Sequence, residues 1–137
     1  MRRTVPYVDI AVNDSRLRDD LMDAFSQVLS SGQFVFGKEI AEFETRFADL
    51  CGTRFAVAVN SGTDAMILSL RALEIGAGDE VITAPNSYIA TAAAIAQVGA
   101  RPVFVDVGAD FNIDPDLIES AITPRTKAIL PVHLTGR

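Results

Sequence analysis

The chain has 137 residues, 49% apolar and 22% charged, with a net charge of −6 and no cluster of lysine and arginine. That length and apolar fraction suit one globular domain with a real core, and the acidic balance argues against a nucleic-acid surface, which needs a basic footprint. Cys51 is the single cysteine, no run reaches transmembrane length and the N-terminal "MRRTVPYVDIAV" lacks a secretory apolar stretch, so a soluble, cytoplasmic chain without disulfides is expected.

In chain order, Asn13 and Asp14 offer caps to a helix whose apolar face reads Leu17, Leu21, Ala24, Phe25, Val28 and Leu29, and Ser31-Gly32 stops it. A second helix follows Gly37, with Ile40, Phe43, Phe47 and Leu50 on one face and Cys51-Gly52 at its end. Residues 1–52 are therefore expected to form an N-terminal helical arm, and residues 53–137 the first part of a sheet domain. Strand-like runs follow at Phe55–Val59, Glu80–Thr83, Pro102–Val107 and Lys127–Val132. Helical segments separate them at Thr63–Ile75, Ser87–Val98 and Pro115–Ala121, the last with Asp114 as its cap.

Strands that start roughly every 25 residues as solid apolar runs indicate α/β architecture, a mostly parallel sheet covered by helices. The spacing fits an open doubly wound sheet or part of a (β/α)8 barrel, and leaves the direction of the Glu80–Thr83 strand open. "KAILPVHLTGR" stops on a buried strand and its first loop residues, so the chain is expected to be the front part of a larger domain.

The chemistry concentrates in "VNSGTDAM". Ser61, Gly62, Thr63 and Asp64 join an apolar run to a helix with almost no side-chain bulk. One reading is an anion site, because a helix start presents unpaired amides and the positive end of its dipole. The other is plain capping, Ser61 at the N-cap with Asp64 three residues on. From the residues alone both stand. "APNSYIATA" repeats the design one strand later, with Ser87 able to cap and Tyr88 able either to stack on a flat ring or to pack on a neighbouring loop. "GAGDEV" (Gly76 to Val81) follows a helix and precedes a strand, the reverse of the dinucleotide fingerprint, and reads as an αL stop and a turn. His133 is the one histidine and has no partner at metal-ligand spacing, so no metal is expected. Asp106 reads as a turn residue, and Lys38 and Lys127 as surface charges.

Taken in order, "VPYVDIA", "SSGQFVFGKEIAEFETRFADLCG", "VNSGTDAMILSLRALEIGAGDEVITAPNSYIATAAAI", "VGARPVFVDV" and "NIDPDLIESAITPRTKAILPVHLTG" resemble the DegT/StrS family of pyridoxal-phosphate-dependent sugar aminotransferases. The resemblance implies the aspartate aminotransferase-like large domain (PLP fold type I), truncated, with helices on both faces of the sheet. It implies transamination of a keto-sugar nucleotide with an amino-acid donor, on pyridoxal 5′-phosphate, in a homodimer. Ser61, Gly62, Thr63 and Asp64 then match the loop that holds the cofactor phosphate, and Tyr88 the ring that stacks on the pyridine. Tyr7, Gly32, Gln33 and Phe34 are similar to residues lining the nucleotide-sugar side. Thr135 departs from the family's usual "HLYG", where a tyrosine stands.

The family's Schiff-base lysine and the aspartate paired with the pyridine nitrogen are expected downstream of Arg137, as is the C-terminal small domain. Neither Lys38 nor Lys127 matches the lysine's position, so the chain alone is expected to be inactive. Two rivals share the cofactor: a sugar dehydratase of the same family, with histidine in place of the lysine, and a non-catalytic PLP- or phosphate-binding module.

Overall fold

The computed structural model describes residues 5–8, 10–134 and 136. The chain forms two compact units, one up to Ala58 and one from Val59.

The first unit holds two helices, α1 (Ser15–Ser31) and α2 (Lys38–Cys51). Asp14 caps α1 as its position suggests, with Oδ1 accepting from the amides of Arg16 and Leu17 at 2.9 and 3.1 Å. Both helices end on a glycine in the left-handed region, Gly32 at φ +68° and Gly52 at φ +65°. Without a Cβ, these residues turn the chain while their amides satisfy carbonyls of the last turn. The apolar faces are amphipathic as expected, yet Phe25, Phe43, Phe47 and Leu50 stay exposed, and Ala48 is the only buried residue on either helix. Phe43 and Phe47, one turn apart, stack with centroids 5.6 Å apart.

The second unit is a three-stranded parallel sheet with helices α3 (Gly62–Ala72), α4 (Ala90–Gln97) and α5 (Pro115–Ala121). Its strands are β1 (Glu80–Thr83), β2 (Arg101–Phe104) and β3 (Thr126–Leu130), in the order β2-β1-β3. That order settles the direction of the Glu80–Thr83 strand, which pairs parallel on both edges. It also decides against the barrel, where strands follow one another in sequence order.

Central β1 is buried throughout. Neighbouring residues of a strand point to opposite faces, and Val81 and Ile82 are both sealed from water, so both faces are covered here. On Val81's face Leu70, Ile75, Ile95 and Ala100 complete one apolar cluster. The opposite expectation fails at Phe55–Val59, which is not a strand. Phe55 and Val57 remain exposed, with no ladder partner among the described residues.

Boundaries also move, that of β3 among them, which runs Thr126–Leu130 where Lys127–Val132 was expected. α3 stops at Ala72, because the Ile75 amide bonds the Leu70 carbonyl at 3.0 Å while both side chains enter the apolar cluster. This places a left-handed residue at Glu74, φ +58°, ahead of the Gly76–Val81 stretch read as an αL stop and a turn, in which Gly78 is itself left-handed at φ +94°. β2 runs from Arg101 only to Phe104, and the Asp106 carbonyl then closes a hairpin by accepting from the Asp114 amide at 3.0 Å. α4 begins at Ala90, as described with the site below.

At the amino end of β1 sits a buried charge. The Glu80 carboxylate accepts from Thr123 Oγ1 at 2.6 Å and from Arg125 Nε and Nη2 at 3.1 and 2.7 Å, with Arg101 Nη1 at 3.6 Å. The bond from Thr123 and then those from Arg125 hold this carboxyl below the usual range, against burial, which pushes it up. Since the folded value is the lower one, the stabilisation is complete above the ordinary carboxylate pKa of about 4.3 and is lost as pH falls through the folded value. Urea unfolding from neutral to acid pH should therefore show a stability loss on the acid side that Glu80→Gln flattens, with a lower midpoint for the variant at pH 7. An acid limb identical in both proteins would assign that loss to other carboxylates.

Candidate functional site

Leu70 and Ile95 lie near the ends of α3 and α4 and share the cluster around Val81. Short turns, residues 73–79 and 98–100, lead from those helix ends into the starts of β1 and β2. Both helices therefore run back along the sheet, and their N-termini open where the parallel strands end, the edge at which open α/β sheets bind ligands.

At the start of α3, Ser61 is the N-cap, and its Oγ accepts from the Asp64 amide at 3.1 Å. The Ser61 carbonyl accepts from the Ala65 amide at 3.0 Å. This uses the third and fourth amides of the turn and leaves the first two. The amides of Gly62 and Thr63, and the Thr63 hydroxyl, bond to nothing among the described residues. The Ser61 hydroxyl proton is likewise uncommitted, because in the cap its oxygen serves as acceptor. A Cβ built at Gly62 would meet nothing within 4 Å. The turn is thus open, with two amides and two hydroxyls as donors and the positive end of the α3 dipole behind them. Capping and anion binding, rivals in the sequence, are compatible here because they use different amides. Asp64 serves the cap, and its carboxylate offers acceptors only.

The loop after β1 carries Tyr88, a residue 77% exposed. Ser87 does not cap α4. Its hydroxyl pairs with Thr91 Oγ1 at 2.6 Å and donates to the Tyr88 carbonyl at 3.1 Å, so the helix begins three residues later, with Ile89 as an N-cap lacking any side-chain bond. One further tie anchors the loop: Asn86 Nδ2 donates to the Phe111 carbonyl at 2.9 Å. Nothing local in the sequence signals that pairing, since its partners are far apart in the chain.

The residues matched to a nucleotide-sugar side belong to the first unit. Tyr7 is fully exposed, Gly32 is the C-cap of α1, the Gln33 amide bonds Ser31 Oγ at 3.1 Å, and Phe34 is exposed. Asp106 does work as a turn residue, its Oδ1 accepting from the Val107 amide at 2.8 Å. Thr135 lies outside the described residues. Among the described residues no helix is long and apolar enough to cross a membrane, and no three histidine, cysteine or acidic residues cluster as metal ligands.

Residues 15–137 match the DegT/DnrJ/EryC1/StrS aminotransferase family. A UDP-2-acetamido-2-deoxy-3-oxo-D-glucuronate aminotransferase from Pseudomonas aeruginosa is 42% identical over 97% of this chain and 37% of its own length. Among solved structures, S. venezuelae DesV in complex with a ketimine intermediate superposes with a TM-score of 0.92 at 48% identity, over 97% of this chain and 36% of that one. NtdA from Bacillus subtilis with bound cofactor PMP gives a TM-score of 0.89 at 39% identity, over 98% of this chain and 32% of that one. The chain thus spans about a third of the length of these relatives.

Replacing Ser61 with Ala removes the cap oxygen and should lower the unfolding free energy by about 1 kcal/mol, read from urea denaturation. Unchanged stability would mean that the Asp64 amide finds another acceptor.

Proposed function

The chain belongs to the DegT/DnrJ/EryC1/StrS aminotransferase family, and on that premise we propose that it forms the cofactor-anchoring front of a pyridoxal-phosphate-dependent sugar aminotransferase. The supporting observation is the donor set at the start of α3: two unpartnered amides and two hydroxyls around an open turn. A doubly charged phosphate ester fits those donors, because charge-assisted bonds from preorganised amides are among the stronger ones a protein makes.

In this reading Gly62 and Thr63 donate their amides to the phosphate, and Ser61 and Thr63 add their hydroxyls. Asp64 holds the cap that shapes the turn, and the exposed Tyr88 ring covers one face of the pyridine. When bound, the cofactor supplies an electron-poor ring that stabilises negative charge on the carbon being transaminated. The protein's part is to fix phosphate and ring so that this carbon is presented in one orientation.

The substrate class proposed is a keto-sugar nucleotide, aminated at the expense of an amino acid. The UDP-sugar name of the Pseudomonas aeruginosa relative supports it, as does the match of Tyr7, Gly32, Gln33 and Phe34 to the sugar side. A homodimer in the cytoplasm follows from the same resemblance. The sequence contains two lysines. Lys38 is exposed beside Glu39, and Lys127 is exposed on β3. In this reading neither matches the position of the family's Schiff-base lysine, so residues 1–137 bind the cofactor without turning substrate over.

Titrating the chain with pyridoxal 5′-phosphate should give saturable binding. Thr63→Pro deletes one amide and one hydroxyl of the donor set, at a helix position that accepts proline, and should weaken binding roughly tenfold or more. Borohydride reduction of the mixture should leave no single lysine preferentially labelled. Equal affinity in the variant would remove the phosphate assignment, and one specifically labelled lysine would remove the claim of inactivity.

A further inference from the structure

We propose that Asn86 is a positioning residue that aims the Tyr88 ring by tying its loop to the Phe111 carbonyl, an inference that rests on reading Tyr88 as the cofactor-stacking ring. The loop is pinned at both ends by buried alanines, Ala84 and Ala90, while Pro85, Asn86, Tyr88 and Ile89 between them are exposed. At its C-terminal end α4 offers no side-chain cap to hold it. The Ser87–Thr91 hydroxyl pair fixes the loop to its own helix. Among the described residues, the Asn86 amide is the one side-chain bond from this loop to another part of the fold.

The acceptor is unusually well fixed. Phe111 sits at φ +65°, a left-handed conformation costly for a bulky residue and kept only where its surroundings over-determine it. Here they do. The Phe111 amide donates to the Gly108 carbonyl and the Gly108 amide to the Asn112 carbonyl, both at 3.0 Å. Asn112 bonds both carboxylate oxygens of Asp110, at 3.2 and 3.0 Å, and Val107 pairs with Ile113 across the hairpin. The hairpin after β2 therefore presents one rigid carbonyl to the loop after β1. Both partners of the Asn86 bond face water, where a hydrogen bond contributes little to global stability. Its effect is local: it selects where the backbone two residues before Tyr88 sits, and hence where the ring points.

The chain has two tyrosines and no tryptophan, so Tyr7→Phe leaves Tyr88 as the sole emitter. In that background, pyridoxal 5′-phosphate and inorganic phosphate are titrated by fluorescence and calorimetry against Asn86→Ala and the isosteric Asn86→Asp, which lacks the donor. Both variants should bind pyridoxal 5′-phosphate about three- to tenfold more weakly with less quenching of Tyr88, while phosphate affinity and the unfolding midpoint stay unchanged. In a Tyr88→Ala background the cost of Asn86→Ala should vanish, as coupling through the ring requires. Equal losses for phosphate and cofactor, a cost that persists without Tyr88, unchanged cofactor affinity, or unfolding of both variants would each overturn the role of Asn86. If the parent chain binds phosphate but shows no Tyr88 quenching by the cofactor, the stacking assignment itself fails, and with it this inference.

Discussion

Four residues without access to water, Glu80 to Thr83, decide where everything else in the sheet unit can go. Both hydrogen-bonding edges of this strand are filled, by β2 and β3, and both faces are covered. An ionised carboxylate at the start of such a strand is tolerable only if its oxygens are fully bonded. Thr123 and Arg125, in the turn before β3, supply those bonds. The same contact that satisfies the charge also holds β3 in register beside β1, including the irregularity where Glu80 faces Thr126 and Val81 faces Ala128. Polar satisfaction and strand order are one requirement here.

With β1 fixed, the opposite end of the sheet is fixed too. The helices on the Val81 face must run back from carboxyl end to amino end, so α3 and α4 both start at the rim where the strands finish. The two starts differ in a way that suits different tasks. α3 has a serine cap that engages its third amide and spares the first two, leaving donors facing open space. α4 has no side-chain cap, and the loop before it is held instead by a hydroxyl pair and a distant carbonyl. A helix start with spare amides suits an anion.

Much of this was legible in the residues. Asp14, Gly32, Gly52 and the Asp114-Pro115 pair mark helix ends because caps act within four residues of themselves. Glu80–Thr83 was legible as a strand with its bounds intact. Where reading failed, a competing contact had won. Ser87 has the chemistry of a cap, but its hydroxyl donates to the Tyr88 carbonyl and its oxygen pairs with the Thr91 hydroxyl one turn on. The stretch Gly76–Val81 does hold a left-handed glycine, Gly78, yet burying Ile75 against Leu70 already turns the chain at Glu74. Phe55–Val59 has strand composition, but no strand pairs with it among the described residues.

What the sequence determined by itself is therefore local: helix phases and their caps, the small-residue turn at Ser61–Asp64, and the motifs that resemble one family. The tertiary structure alone decided the order β2-β1-β3, the conversion of Glu80 from an ordinary acid into a buried bonded charge, the spare amides at Gly62 and Thr63, and the tie from Asn86 to Phe111. The physical reason is range. A cap finds its partner within one turn at almost no entropic cost. A ladder or an inter-loop bond requires closing long stretches of chain, and which closures form depends on the packing of the whole unit.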